Sequence, residues 1–132
     1  MRFSLALAMI AACVVGEFTV TKQNECVEGA EELVPKGSKV KVHYTGKLDD
    51  GTVFDSSVNR GQPFDFTVGV GQVIKCWDEG VTQLCKGQKA ILNCPPDYGY
   101  GARGAGGVIP PNANLTFEVE VIDFPSKKVE DL

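Results

Sequence analysis

The chain is short of the residues that carry most side-chain chemistry. It has one histidine, one tryptophan and two methionines in 132 residues. A single histidine, His43, rules out a His-based metal cluster and confines any Ser-His or Cys-His machinery to one position. There is no basic block: 13 Lys and Arg against 17 Asp and Glu leave a net charge of −4. Without clustered cations nothing would release phosphate counterions, which argues against nucleic acid and anionic membrane as partners. Beyond Val15 no apolar run approaches the roughly 20 residues that span a bilayer. No Walker lysine motif, G-x-S-x-G elbow or paired C-x-x-C occurs. What is abundant is glycine: 15 residues, where average use of about 7% would give roughly nine. That excess predicts many tight turns, hence short strands rather than long helices. At 43% hydrophobic and 23% charged, the chain is neither disordered nor fibrous, and its length fits one domain with one core.

The first sixteen residues read as an address. Met1 to Phe3 carry the α-amine and Arg2, and an almost unbroken apolar run follows to Val15. About a dozen apolar residues match a signal-peptide core and are too few to cross a ~30 Å hydrocarbon layer. Val14-Val15-Gly16 offers a small-residue cleavage site before Glu17. Two other readings are a buried N-terminal strand or helix, and a bacterial lipobox at Ile10-Ala11-Ala12-Cys13 that would leave Cys13 lipidated. Cleavage removes Arg2 and Cys13, so the net charge moves from −4 to −5 and four cysteines remain. The expected mature protein is soluble, with no membrane partner after cleavage. The expected division is 1–16 signal peptide, 17–126 single domain and 127–132 polar tail.

The remainder reads as an antiparallel β domain with one short helix. Residues 38–45, 63–68 and 114–122 alternate polar and apolar side chains, the period-two pattern of half-buried strands. Asp49-Asp50-Gly51 predicts a hairpin turn, with Thr52–Asp55 returning as a strand. Ala90–Cys94 is a further strand. Ile74, Trp77, Val81 and Leu84 recur at spacings of three and four, the apolar stripe of a short helix that stops near Lys86-Gly87. Residues 98–107 are too glycine-rich for regular structure and form a loop closed by Ile109-Pro110-Pro111. The fold class is α+β: a curved antiparallel sheet of five to six strands with the helix packed on one face.

Gly99-Tyr-Gly-Ala-Arg-Gly104 has the bare form of a dinucleotide fingerprint, but it does not lead from a strand into an amphipathic helix. His43 sits on the polar side of its strand and reads as structural. The paired Asp49-Asp50 lie in a turn, where aspartate is wanted for its backbone hydrogen bonds. What is left is apolar and aromatic: taken alone, a small β-rich domain with an apolar core or cleft.

The segment His43-Tyr-Thr-Gly-Lys-Leu-Asp-Asp-Gly-Thr-Val-Phe-Asp-Ser-Ser57 resembles the FKBP family of peptidyl-prolyl cis/trans isomerases. The likeness continues through Gln62–Phe66, Val73–Gly80, Pro96–Gly101, Val108–Pro111 and Leu115–Val121, and covers about residues 18–125. It implies a curved sheet wrapped around the short helix, with an active cleft between them. It implies a substrate- or inhibitor-binding set of Tyr44, Phe54, Asp55, Arg60, Phe64, Val73, Ile74, Trp77, Tyr100, Ile109 and Phe117. Of these, Tyr44, Asp55, Trp77, Tyr100 and Phe117 carry the implied catalytic roles. Trp77 would take the proline ring as the floor, walled by Tyr44, Phe64 and Phe117. The Ile74 N–H and Tyr100 hydroxyl would donate to substrate carbonyls. Asp55 would be a polar group on an apolar wall, held by Tyr44 and Arg60. The reaction needs no cofactor and no metal. Expected partners are proline-containing polypeptide clients or a macrolide of the FK506 or rapamycin type, bound by a monomer. The alternative function is a binding module that holds such ligands without turnover. Cys76 stands where many members have glycine, and Ala105 and Val108 lie in the variable loop over the cleft.

Four cysteines permit three pairings. The resemblance implies a Cys26–Cys85 bridge, as in secretory-pathway members; Cys76 and Cys94 are expected as buried free thiols, with a second bridge between them as the alternative. Asn114-Leu-Thr116 is a glycosylation sequon at the start of the last strand. Val129-Glu-Asp-Leu132 matches an endoplasmic-reticulum retrieval signal only in outline. The expected location is the secretory pathway, in the endoplasmic reticulum lumen, with the bacterial periplasm or a Cys13 lipoprotein as the alternative.

Overall fold

A computed structural model describes residues 17–126. The proposed signal peptide with Cys13 and the tail from 127 to 132 lie outside the described residues. Six strands form one antiparallel sheet: β1 (Thr19–Lys22), β2 (Lys39–Leu48), β3 (Val53–Ser56), β4 (Phe64–Thr67), β5 (Lys89–Cys94) and β6 (Leu115–Asp123). The strand order is β1-β5-β6-β2-β3, and β4 shares the same edge of β2 as β3. The lower half of β2 pairs with β4 (Val42 opposite Phe64) and its upper half with β3 (Thr45 opposite Ser56). The helix α2 (Lys75–Gly80) packs against the face where Val40, Val42, Tyr44, Leu92, Leu115, Phe117, Val119 and Val121 gather.

The alternation does what period two dictates. From Val40 to Gly46 in β2 and from Leu115 to Val121 in β6 every second residue is buried, and the residues between them are partly or fully exposed. The hairpin forms as its residues require: Gly51 takes φ +90°, and the Asp50 carboxylate accepts the Thr52 N–H at 2.9 Å.

Four features depart from the sequence reading. Strand β1 was not anticipated; it pairs with β5 from Thr19 opposite Asn93 to Lys22 opposite Ala90. The helix ends at Gly80 rather than near Lys86. A single 3₁₀ turn, Val81–Gln83, then carries Val81 and Leu84 into the core. Glycine and the β-branched pair Val81-Thr82 are poor helix formers, so the tighter turn replaces the last α turn. A one-turn helix α1 (Ser57–Arg60) follows β3, capped by the Ser56 side chain accepting the Asn59 N–H and ended by Gly61 at φ +72°.

The fourth departure concerns the cysteines. Cys26 and Cys85 are bridged, with Cα atoms 5.9 Å apart. Cys76 and Cys94 are not free thiols: they form a second disulfide, with Cα atoms 5.7 Å apart. The first turn of α2 lies on the end of β5, which brings two fully buried thiols face to face. Spacing along the chain does not reveal that meeting; it depends on how the helix docks.

Candidate active site

Between α2, the sheet and the loops lies a cleft of about 520 Å³, within the range of small-ligand sites. Its lining comprises Tyr44, Phe54, Asp55, Phe64, Gly71, Gln72, Val73, Ile74, Trp77, Tyr100 and Phe117. The floor is Trp77, 5% exposed. Four rings surround it: Tyr44 at 4.9 Å, Phe117 at 5.3 Å, Phe66 at 5.4 Å and Phe64 at 6.0 Å between centroids. All four meet it edge-on or tilted, the arrangement that ring quadrupoles favour. The indole N–H is buried without a hydrogen-bond partner among the described residues.

One wall is polar. The Tyr44 hydroxyl donates to Asp55 Oδ2 at 2.6 Å. Arg60 Nη1 donates to Asp55 Oδ1 at 2.6 Å, and Nη2 donates to the Tyr44 oxygen at 3.0 Å. The three side chains close a ring of charge-assisted bonds. Burial pushes the Asp55 carboxyl up, but the hydrogen bonds from Tyr44 and Arg60, the arginine charge and the Ser56 N–H outweigh it, and the group titrates below its ordinary value. Tyr44 is raised, by burial first; the Arg60 hydrogen bond opposes this and Asp55 adds to it. Tyr100 is raised by burial and then by the Asp55 charge. Asp55 is thus a carboxylate, and both phenols are neutral, through the physiological range.

Two residues of the lining carry a donor that is unpaired within the described residues. Ile74 is the N-cap of α2; its carbonyl accepts from Trp77 and Asp78, and its own N–H has no partner. Tyr100, 40% exposed, has no hydrogen bond on its hydroxyl.

The structure therefore brings nine of the anticipated residues to one cleft. Arg60 is not in the lining; it stands behind Asp55. Ile109 is also outside it, 6% exposed in the core, where it pairs with Ala105 through both backbone bonds. Gly71 and Gln72 were missed. Their loop is pinned by Asp78, whose carboxylate accepts the Gly69 N–H at 2.7 Å and the Gly71 N–H at 2.9 Å. Gln72 accepts the Thr67 N–H at 2.9 Å. The available signal was an acidic residue beside the floor tryptophan, following a Gly-x-Gly loop. His43 lies on the opposite side of β2, with Nδ1 2.8 Å from Ser57 Oγ. That same hydroxyl accepts the Tyr44 N–H at 2.8 Å, filling the gap that β3 and β4 leave along β2.

Three relatives illustrate the comparisons. "FK506-binding protein 1" of Dictyostelium discoideum is 58% identical over 82% of this chain and 96% of its own length. "Peptidyl-prolyl cis-trans isomerase Fkbp12" of Drosophila melanogaster is 65% identical over 71% and 88%. "FK506-binding protein 2" of Kluyveromyces lactis is 43% identical over 99% of each chain. The family model described as FKBP-type peptidyl-prolyl cis-trans isomerase matches residues 30–122. An aromatic-floored cleft in this sheet, and a match across most of the chain, lead to one conclusion: the chain belongs to the FKBP-type peptidyl-prolyl cis-trans isomerases.

Proposed function

We propose that the chain accelerates X–Pro isomerisation in folding polypeptides by desolvating the amide and gripping its twisted form. The observation that carries this reading is the floor: a buried indole ringed by four aromatic side chains. Rotation about the bond meets a barrier of ~18–20 kcal/mol because amide resonance is lost midway. The planar amide is the more dipolar, so water stabilises it over the twisted form. An apolar cleft withdraws that water and binds the twisted amide better than either planar isomer. Each ~1.4 kcal/mol of that preference gives tenfold in rate. Trp77 would seat the proline ring, while Ile74 N–H and the Tyr100 hydroxyl hold flanking carbonyls. Asp55 supplies a fixed negative charge; no proton changes hands.

The apolar leader and the two disulfides support a secretory-pathway location, in the endoplasmic reticulum lumen. The relatives' printed names support a macrolide of the FK506 type as a ligand of the same cleft.

A proline-peptide isomerisation assay on residues 17–132, with and without Trp77→Leu, tests the reading. Activity in the native chain that drops at least tenfold in the variant is expected. Tight macrolide binding with no turnover would leave a binding module in its place.

A further inference from the structure

The glycine at position 46 stands apart from most others in this chain. It lies inside β2, paired on both sides, opposite Phe117 on β6 and Asp55 on β3. Its φ is not positive, so the backbone does not require glycine there. Glycine in a strand interior weakens the strand. The reason for it is space. A Cβ at this position would lie 2.6 Å from Phe54 Cζ, 2.7 Å from Phe117 Cε1 and 3.0 Å from Phe54 Cε1. Two rings, one from each neighbouring strand, meet edge to face over the bare Cα, with centroids 5.6 Å apart. Both rings line the cleft.

The two rings differ in their freedom. Phe117 is 3% exposed and boxed by Trp77 at 5.3 Å and Tyr44 at 6.3 Å. Phe54 is half-buried. A methyl group at position 46 would stand on the inner face of the sheet beneath both, and Phe54 is the ring with room to yield. Phe54 lines the cleft, so a shift of its ring changes the cleft's shape.

We infer that Gly46 is a positioning residue that sets the cleft's width through Phe54, and so sets how large a side chain the substrate can carry before its proline. This rests on the isomerase reading above. It concerns selectivity, not the chemistry itself.

The test measures kcat/KM on two short peptides that differ only before proline, alanine in one and leucine in the other. Activity of the native chain on both is the control for the isomerase reading, and its absence would sink that reading alone. In Gly46→Ala, the Leu-Pro peptide is expected to lose about tenfold more than the Ala-Pro peptide, the scale on which hydrophobic pockets discriminate size. An equal loss on both peptides, or no loss, overturns the inference, because a merely structural glycine has no reason to sort substrates by size. If Gly46→Ala fails to fold, Gly46→Ala/Phe54→Leu decides. With Phe54 shortened, the contacts at 2.6 and 3.0 Å are gone and only the Phe117 ring edge at 2.7 Å has to adjust, so the double variant should fold and match the peptide ratio of Phe54→Leu within about twofold. A double variant that stays unfolded, or departs from that ratio, shows that the methyl does not act through Phe54 and overturns the inference equally.

Discussion

Trp77 at the floor and Asp55 on the wall line one cleft but are held by different forces. The tryptophan is buried among four rings. Its neighbours in sequence anchor it twice more: Cys76 is bonded to Cys94 on β5, and Asp78 grips the loop at Gly69 and Gly71. The aspartate has two side-chain partners, Tyr44 and Arg60, and the Asp55–Arg60 pair is nearly half exposed, with side chains 43% and 49% accessible. Packing is cumulative, and the loss of one contact leaves many. A ring of three hydrogen-bonded groups has no such reserve. The floor is thus a matter of stability and function together; the wall is a matter of function.

The largest effect should come from removing the floor. Trp77→Ala deletes a buried ring and leaves a cavity, which costs about 3–5 kcal/mol of stability along with the activity. Denaturant unfolding and the isomerisation assay should both register it. If stability were unchanged, the floor would owe its position to its anchors rather than to ring packing.

The next variant asks how much those anchors add. Cys76 and Cys94 are 18 residues apart, and a loop of that size stabilises by about 3 kcal/mol in the chain-entropy account. Cys76→Ala/Cys94→Ala should lose that much by denaturant unfolding. Its kcat/KM, measured well below the unfolding midpoint, should stay within about threefold of native, because four rings still seat the indole. A much larger fall in a folded variant would make the bridge part of the floor.

The wall should respond the other way. Asp55→Asn keeps the shape and removes the charge that Tyr44 and Arg60 share. Because the pair is so exposed, the stability loss should be under about 1 kcal/mol. The kcat/KM should fall about tenfold, as Tyr44 and Arg60 lose the partner that aligns them. A stability loss like that of Trp77→Ala would erase the contrast between the two regions.

That contrast also governs what was legible in the sequence. The strands β2 and β6 announce themselves, since one face of each is buried along its length and polar residues fall between. The aromatic cleft could be assembled only because Tyr44, Trp77 and Phe117 each sit on a segment that carries the family resemblance; the residues alone gave an apolar core or cleft. What escaped depends on contacts between segments. Strand β1 has only four residues, and its pairing with β5 places it. The helix end at Gly80 reflects local propensity weighed against docking. The meeting of Cys76 with Cys94 follows from that docking. Gly71 and Gln72 reach the cleft only because Asp78, on another element, holds their loop. Gly46 is the clearest case: its role lies in two rings from neighbouring strands, and one chain segment read alone does not contain them.

The smallest expected effect is in the pH profile, and it bears directly on the wall. Asp55 has its folded value depressed, so its contribution to stability is present above the ordinary carboxylate value of about 3.9 and is lost as pH falls through the folded value. Tyr44 has its folded value raised, so its contribution is present below about 10 and is lost as pH rises through that folded value. Tyr100 moves in the same direction as Tyr44. Between about pH 6 and 8 none of these three groups changes charge, and a reaction driven by desolvation and shape transfers no proton. The kcat/KM for a proline peptide should therefore stay flat within about twofold across that range, with unfolding measurements confirming a folded protein throughout. A clear bell would give a side chain a proton-transfer role. His43, linked through Ser57 to the Tyr44 backbone, would be the first group to replace. If His43→Asn then flattened the profile, the wall would be coupled through Ser57 to the outer side of the sheet, and its isolation from the rest of the fold would no longer hold.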